Sequence, residues 1–549
     1  LAAFAVLILV PLGIAAAPAK KKTKQVPLKI QETVGDLAFV LTNGEQKVEG
    51  VGLVVGLENT GVDPPPSPYR QQLVDTMSKA GVEHADKMLG NPSVSMVLVH
   101  MTIPLGVDPT DRIDVQVEVP PGCGTKSLAG GYLVSTRLKE IGVIKGSTHE
   151  GHELGIAQGP VMIGTPTRPN DPTVGRVLGG GRVKKDFPFT LVIKENRRSV
   201  RTSQLLENVV NARFHQTEAG HQKGVATGKT DGFLVLKVPA LYHQNIDRYF
   251  RVVQLLPIID NPELRVQRIA TWKKELLDPK TAGVAALKLE GLGTGAVDAL
   301  QEGLKSSDPD IKFFAAEALA YLNEPIGVDV LAHIIVHEPK FRPYALAALA
   351  SMDQPASHMT LRKLMDEPDR EVRYGAFNAL RTLDPRDPFL GHVRVLKDQK
   401  TDDEEDAPAE SMALAIARRH RSRPDDPFSL YLVETEGPPL IHVSRTRRSE
   451  IVIFGRHQKL LPPIVLDCGP ILLNAADNDE RLEMSKIVAS KYGDADTKLT
   501  TSLEVDDIVR SAANLGATYP EIVTILEKAQ RQRNLAGELV VDAVPKPNN

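Results

Sequence analysis

Residues Gly50–Gly61 read G-V-G-L-V-V-G-L-E-N-T-G, and the fold turns on how these glycines are used. Gly50, Gly52 and Gly56 form G-x-G-x-x-x-G, a spacing that could cradle a phosphate. Such a cradle needs a strand before the glycines, a helix opening on them and an acidic residue about 20 residues on. Here the glycines lie within the apolar run itself. The chain then enters Asp63-Pro64-Pro65-Pro66, which cannot continue a helix. The stretch is therefore expected to be a buried, glycine-punctuated strand ending in a turn, its glycines marking close backbone packing.

Outward from this strand, short helices and further strands are expected. Lys29 to Phe39 (K-I-Q-E-T-V-G-D-L-A-F) reads as extended or turn-rich chain. Arg70 to Gly81 places Leu73, Met77 and Ala80 at helical spacing, with Gly81 as C-cap. Ser93 to Ile103 is apolar and β-branched, and Asp111 to Val119 (D-R-I-D-V-Q-V-E-V) alternates almost strictly. Both read as strands, the second half-buried. Thr202 to Phe214 reads as an amphipathic helix. Glycine and proline punctuate the whole region, which predicts a β-rich α+β unit over about 27–260.

Near residue 265 the character changes. Ala-Leu pairs recur at Ala286-Leu287, Ala318-Leu319, Ala348-Leu349 and Ala379-Leu380, spaced by 32, 30 and 31 residues. Pro309, Pro339 and Pro368 precede the last three in acidic turns. A period near 30 with small residues on one face predicts stacked helix pairs of a HEAT-like kind. Asp402–Asp406 and Arg418–Arg423 read as a charged, solvated linker. After about 427 the β-rich pattern returns. Tyr519-Pro520 opens a helix through Gln532, with Pro520 suited to a first turn, and Leu535–Val541 closes as a strand.

A chain of 549 residues has room for about three or four domains. Its 42% hydrophobic and 25% charged residues describe a soluble globular protein. A formal net charge of -3 argues against a general nucleic-acid binder, and one tryptophan supplies little stacking surface. Leu1–Ala19 is apolar but interrupted by Pro11 and Gly13, and Ala17-Pro18-Ala19 fits an A-x-A cleavage site. It reads as a signal peptide ahead of a basic leader at 20–30. Cys123 and Cys468 are the only cysteines. Export permits a disulfide between them, and two separate thiols fit the sequence equally.

Chemistry is sparse. His149-Glu150-Gly151-His152-Glu153 suggests a metal cluster, but its histidines are three apart and not in H-E-x-x-H. A solvated, glycine-flanked loop is the expectation. No G-x-S-x-G, P-loop or C-x-x-C is present. Cys123 lies in the turn Pro120-Pro121-Gly122-Cys123-Gly124 with no histidine marked as its partner. No catalytic residue, cofactor site or metal site is expected.

The opening stretch resembles the signature of the flagellar P-ring protein family, G-Y-G-L-V-V-G-L-x-G-T-G, with Val51 in place of Tyr and Asn59 in place of Gly. Asp111–Val117 resembles the family's G-Q-x-I-D-V-x-V, and Lys126–Leu133 (K-S-L-A-G-G-Y-L) its A-K-S-L-x-G-G-x-L. Ala157–Pro160, Gly180–Val183 with Phe187-Pro188, and Thr202–Phe214 are similar to later family segments. Arg448–Gly455 and Val505–Val541 resemble its C-terminal pattern. The organisation so implied is a signal peptide at 1–19 and a P-ring-like β-rich region at 20–260. An inserted HEAT-like block with its linker takes up 265–425, and a P-ring-like C-terminal region 427–549. The resemblance implies a non-enzymatic ring subunit of the flagellar basal body in the periplasm. Its partners would be copies of itself, the rod, the L-ring protein and peptidoglycan, with no nucleic acid. The helical block either projects from the ring and offers a binding surface to a protein partner unknown from sequence, or thickens the ring and serves no separate partner. Lys126, beside a Gly-Gly turn, is the candidate rod-facing contact. The alternative is a periplasmic scaffold or adaptor that binds proteins through its helical repeats.

Overall fold

The computed structural model describes residues 31–42, 44–144, 147–218, 221–396, 427–486 and 497–546. The signal-peptide and leader segments and the charged linker lie outside these residues. The chain is α+β. It enters through α1 (Val34–Leu37), a single turn within the segment read as extended or turn-rich. Asp36 accepts from the Thr33 backbone N–H at 2.8 Å, a reciprocal cap that turns the chain locally. Strand β1 (Ala38–Leu41) follows.

The next strands are β2 (Gln46–Val55), β3 (Val94–Ile103), β4 (Ile113–Glu118), β5 (Tyr132–Ile144), β6 (Ser147–Pro160), β7 (Met162–Ile163) and β8 (Val174–Val183). They pair antiparallel in the order β4-β3-β2-β5-β6-β8, and β4 also pairs with β8. The sheet thus closes into a barrel, with β7 added alongside β8. The signature stretch runs from β2, which ends at Val55, into a turn, as expected. Val48 and Val54 point into the barrel core. Leu53 and Val55 point outward beneath α2 (Pro68–Lys79) and α3 (Ala85–Leu89). Coverage on both faces explains why the strand is apolar without alternation. Gly50 and Gly52 share the inward face. A Cβ on Gly50 would lie 2.5 Å from the Arg137 carbonyl oxygen, and one on Gly52 2.6 Å from Thr136 Oγ1. These glycines let β5 close against β2.

The His149–Glu153 run is not the expected loop. It lies in β6, where His149 pairs with Gly142 and Glu150 with Ile141 across the β5–β6 hairpin. Strand pairing takes up backbone groups that Gly151 alone suggested would be solvated.

A second sheet, in the order β1-β9-β13-β12, adds β9 (Phe189–Ile193), β12 (Ala226–Gly228) and β13 (Phe233–Leu236) to β1. Strands β10 (His215–Glu218) and β11 (His221–Gly224) form a separate ribbon. Helices α4 (Val200–Arg213) and α5 (Ile246–Leu255) contribute Leu206, Val210, Tyr249 and Val253 to this sheet's core.

Helices α6 (Pro262–Leu276), α7 (Ala282–Leu292), α8 (Val297–Leu304), α9 (Pro309–Tyr321), α10 (Val328–His337), α11 (Arg342–Ala350), α12 (Pro355–Leu364) and α13 (Arg370–Leu383) come next. Helices α7-α9-α11-α13 stack in one inner row, and α6, α8, α10 and α12 pack along it as an outer row. Each Ala-Leu pair falls in one helix of the first row, where small side chains let neighbours approach. Asp308 and Asp369 cap α9 and α13 by accepting from backbone N–H groups of the first turn.

The C-terminal part holds β14 (His392–Val393), β15 (Ser429–Val433), β16 (Leu440–Val443), β17 (Glu450–Phe454), β18 (Ile464–Cys468), β19 (Ile471–Ala475), β20 (Arg481–Lys486), β21 (Thr497–Ser502) and β22 (Glu538–Val541). They form the sheets β14-β15-β17-β16-β22 and β18-β19-β20-β21. Helices α14 (Val505–Asn514) and α15 (Tyr519–Arg531) share a core with both. Thr518 and Glu521 form the capping box of α15.

The helical rows do not stand apart. One continuous core runs from β1, β9, α4 and α5 through α9–α13 to β15, β17 and β22. The first row is packed between the two β-rich parts. Among the described residues no helix is long and apolar enough to cross a membrane.

Candidate functional site

The end of β2 and the loop before β5 are built against each other. Gly56 takes a φ of +81°, Asn59 one of +56°, and the turn brings Thr60 to the 123–131 loop. The Thr60 hydroxyl donates to the Ser127 carbonyl at 2.6 Å, and the Lys126 N–H donates to the Thr60 carbonyl at 2.9 Å. The Gly61 N–H donates to the Pro92 carbonyl at 2.8 Å. Beneath them the buried Ser95 and Thr125 hydroxyls lie 2.8 Å apart, and Leu57 and Leu128 are buried in the barrel core. Lys126 stands exposed on this base. Two motifs separated by more than 60 residues are therefore one platform, and the lysine expected beside the Gly-Gly turn is its exposed cation.

The far end of the platform meets the C-terminal part. Glu58, Gly130, Arg445, Cys468, Glu521 and Lys528 line a crevice of about 200 Å³. Nearby, Asp114 of β4 accepts from the Gly179 N–H and the Arg447 N–H, each at 2.8 Å. That carboxylate, within the D-R-I-D-V-Q-V segment, ties the barrel to the chain just before β17.

Two buried charge clusters fix the helical rows at either end. On the N-terminal side, Arg248 of α5 reaches Glu290 of α7 and Glu317 of α9, each at 2.5 Å. The Tyr242 hydroxyl donates to Glu290 at 2.6 Å, and its ring stacks on Tyr321 at 4.7 Å. Burial, opposed in part by Arg248, pushes the Glu317 carboxyl up to about 7. On the C-terminal side, α13 sends Arg381 to Glu450 of β17, and the Tyr374 hydroxyl donates to Glu450 at 2.9 Å. His442 stacks on Tyr374 at 3.4 Å, and burial lowers it to about 3, so it is neutral. Sequence reading missed these clusters. A charged residue inside an apolar helical pattern is their only trace, and which partner it finds is a tertiary fact.

The other candidates separate. Side chains of His149 and Glu150 lie outside the described residues; His152 is exposed, and Glu153 pairs with Lys184 at 2.7 Å. Cys123 and Cys468 are free, so the pairing that export would permit is not made. Burial raises both thiols, Cys468 to about 11, which keeps them protonated and weakly nucleophilic. A different trio, His358, Asp384 and Asp387, brings possible ligand atoms within 4.8 Å of one another. The buried Asp387 is already engaged by Arg362 at 2.6 Å and by the Phe389 N–H at 2.9 Å. A resident guanidinium disfavours a second cation there, and the trio reads as an ion-paired cap.

The profile of the flagellar P-ring protein family matches residues 33–267, the barrel, the second sheet and the start of α6. This segment is similar to the flagellar P-ring protein family. A flagellar P-ring protein of Anaeromyxobacter sp. (strain K) is 28% identical over 246 residues, 42% of this chain and 62% of the relative. That of Anaeromyxobacter dehalogenans (strain 2CP-C) is 31% identical over 194 residues, 33% of this chain and 50% of its own. That of Aquifex aeolicus is 26% identical over 258 residues, 45% and 65%. The chain thus spans between half and about two thirds of the length of these relatives. A solved structure, human deoxyhypusine hydroxylase in complex with glycerol, is 26% identical over 21% of this chain and 43% of its own. Its TM-score of 0.19 carries no structural argument. The Lys126 platform lies within the P-ring segment; most of the helical rows and the C-terminal sheets lie beyond the profile match.

Proposed function

We propose that this chain is a structural, non-enzymatic subunit of the flagellar basal-body P ring, assembling with copies of itself around the rod as a bushing. The observation that carries the reading is the platform itself: two segments resembling family motifs meet through Thr60, Lys126 and Ser127 inside the matched segment and present an exposed lysine. In this reading Lys126 faces the rod. One exposed ion pair contributes about 0–1 kcal/mol, and repeated around a ring it centres a rotor without locking it. Identical subunits joined by unlike surfaces close into such a ring. The reading places the chain in the periplasm, against peptidoglycan and the L-ring protein, with neither cofactor nor nucleic acid. Residues 265–425 are then a block inserted between P-ring-like regions at 20–260 and 427–549. Electron microscopy of the purified chain, and of basal bodies from cells expressing it tagged, tests this. Rings around a rod are expected; a monomer absent from basal bodies would sink it.

A second reading, a periplasmic adaptor binding through its helices, draws support from one observation. Met359 and Ile326, at the outer row, are 69% and 55% exposed. Against it, the inner row is already filled by the protein's own sheets. Capture of a defined partner by the full chain, abolished by Met359→Glu with no ring formed, would favour the adaptor.

A further inference from the structure

Strand β1 is the edge of the second sheet and pairs with β9 alone among the described strands. The Lys194 N–H donates to the Leu37 carbonyl at 2.9 Å, which makes 37, 39 and 41 the hydrogen-bonded positions of this antiparallel ladder. Val40 is therefore turned the other way. Its N–H and C=O point off the sheet and meet no partner among the described residues. Val40 is 8% exposed, and a buried backbone pair is seldom left unmatched. Phe39 and Leu41, on the opposite face, are 45% and 42% exposed, and no charge or proline blunts the run A-F-V-L.

Val40 also lines a cavity of about 600 Å³ between β1, α5 and the inner helices α9 and α11. Its wall is aromatic: Phe250, Phe313, Phe314, Phe341 and Tyr344. Phe313 and Phe341 stack at 4.1 Å, and Phe314 meets Phe341 edge-on at 5.9 Å, so the wall is set before anything binds. At the buried end Arg248 and Glu317 pair with each other at 2.5 Å. At the open end stands Arg251, exposed and without an ion-pair partner among the described residues. Asp247, the other charge there, meets the positive end of α5 from its first turn, which leaves Arg251 as the free one.

We propose that this edge and cavity form a recognition site for an extended segment of a partner protein, carrying one large apolar side chain and, two residues on, a carboxylate. The segment adds to β1 as a strand and closes the open hydrogen bonds of Val40. Side chains two residues apart share a face and lie about 7 Å from each other, so the apolar one enters the aromatic cavity while the acid reaches Arg251. Side chains of the other face lie beside Phe39 and Leu41. Main-chain pairing holds the segment, and the cavity and the cation select it. Strand β1 and α5 fall within the 33–267 match, whereas α9 and α11 lie beyond it. The site therefore exists only where the helical rows pack against the sheet, and it does not depend on the chain forming a ring.

The test is fluorescence anisotropy of the full chain with a labelled peptide, T-V-F-T-E-V-T. Saturable binding is expected. Replacing the peptide's phenylalanine with serine should weaken it at least about tenfold, since that side chain is the one buried. Replacing its glutamate with lysine should weaken it about fivefold, and Arg251→Glu, a change at an exposed position, should invert that preference. N-methylation along one edge of the peptide should abolish binding and along the other leave it intact, a response that a merely apolar contact does not give. No saturable binding, equal affinity for the glutamate and lysine peptides, or the same response to methylation on both edges overturns the proposal. Release of a self-associated chain by the peptide also overturns it, because the edge then belongs to a second copy.

Discussion

Replacing Arg248 with methionine should break the joint between the β-rich part and the helical rows. Arg248 holds Glu290 and Glu317 at 2.5 Å each, and all three side chains are buried. Removing the guanidinium leaves two carboxylates without their cation, a change that costs about 3–5 kcal/mol for a buried pair. The cost depends on pH. The folded Glu317 carboxyl titrates near 7, above its ordinary 4.5. Between those values the folded state holds a proton that the unfolded chain has released, so stability falls as pH rises through the window. The fall attributable to Glu317 is on the order of 3 kcal/mol. Arg248→Met should therefore be more damaging at pH 7.5 than at pH 5 by about 1 kcal/mol, because Glu317 loses its cation as an ionised group only above the folded value near 7. Glu317→Gln should flatten the parent's decline over the same interval. Denaturant unfolding followed through Trp272, the chain's one tryptophan, reads the effect, because that ring packs on the α6–α9 core. If Arg248→Met unfolds within about 1 kcal/mol of the parent at both pH values, the cluster is not the joint described and the reasoning from desolvation fails.

Three further outcomes follow from the geometry. Gly61→Ala should cost at least about 1–3 kcal/mol, because the new Cβ would lie 2.0 Å from the Val94 carbonyl oxygen, whereas Gly56→Ala, whose Cβ would meet only the Gly130 carbonyl oxygen at 3.9 Å but at a φ of +81°, should cost only about 1–2; paired thermal melts decide between them. Lys126→Glu should leave the melting temperature unchanged, since the side chain is exposed, while swimming and ring recovery fall if it faces the rod; full motility with intact rings would remove that role. Tyr519→Phe should cost about 1–3 kcal/mol, because its buried hydroxyl lies 2.7 Å from the Ser444 carbonyl, 2.8 Å from that of Glu450 and 3.1 Å from the Ser444 N–H; denaturant midpoints measure it.

Much of the local structure is legible in the residues. The alternation in D-R-I-D-V-Q-V-E-V marks β4, which runs over Ile113–Glu118. The helix expected from Arg70 begins at Pro68, because Ser67 caps it and proline fits a first turn, and Gly81 ends it with a φ of +83°. The Ala-Leu recurrence finds the inner helices one by one. Where the pattern misleads, a long-range pairing has overruled it. Gly151 suggests a loop, yet β5 supplies a partner for His149 and Glu150. Lys29–Phe39 reads as extended or turn-rich, and the Thr33–Asp36 cap decides where it winds one turn.

By itself the sequence determined that Gly50–Gly61 is a strand ending in a turn, because its first glycines lie within the apolar run and Asp63-Pro64-Pro65-Pro66 leaves no helix N-terminus for a phosphate. It did not determine what the glycines face. Only barrel closure decides that, by bringing Thr136 and Arg137 of β5 so near that no side chain fits at 50 or 52. Likewise the composition of 265–383 specified stacked helices, since small and apolar residues recur at one period. Whether the inner row would be free or covered depended on where Arg248, Tyr374 and Arg381 find their partners. Those partners lie on other segments of the chain, and a buried charge is tolerable only where the fold brings its counter-charge. Proximity of that kind is a property of the packed chain and leaves no periodic mark in its order of residues.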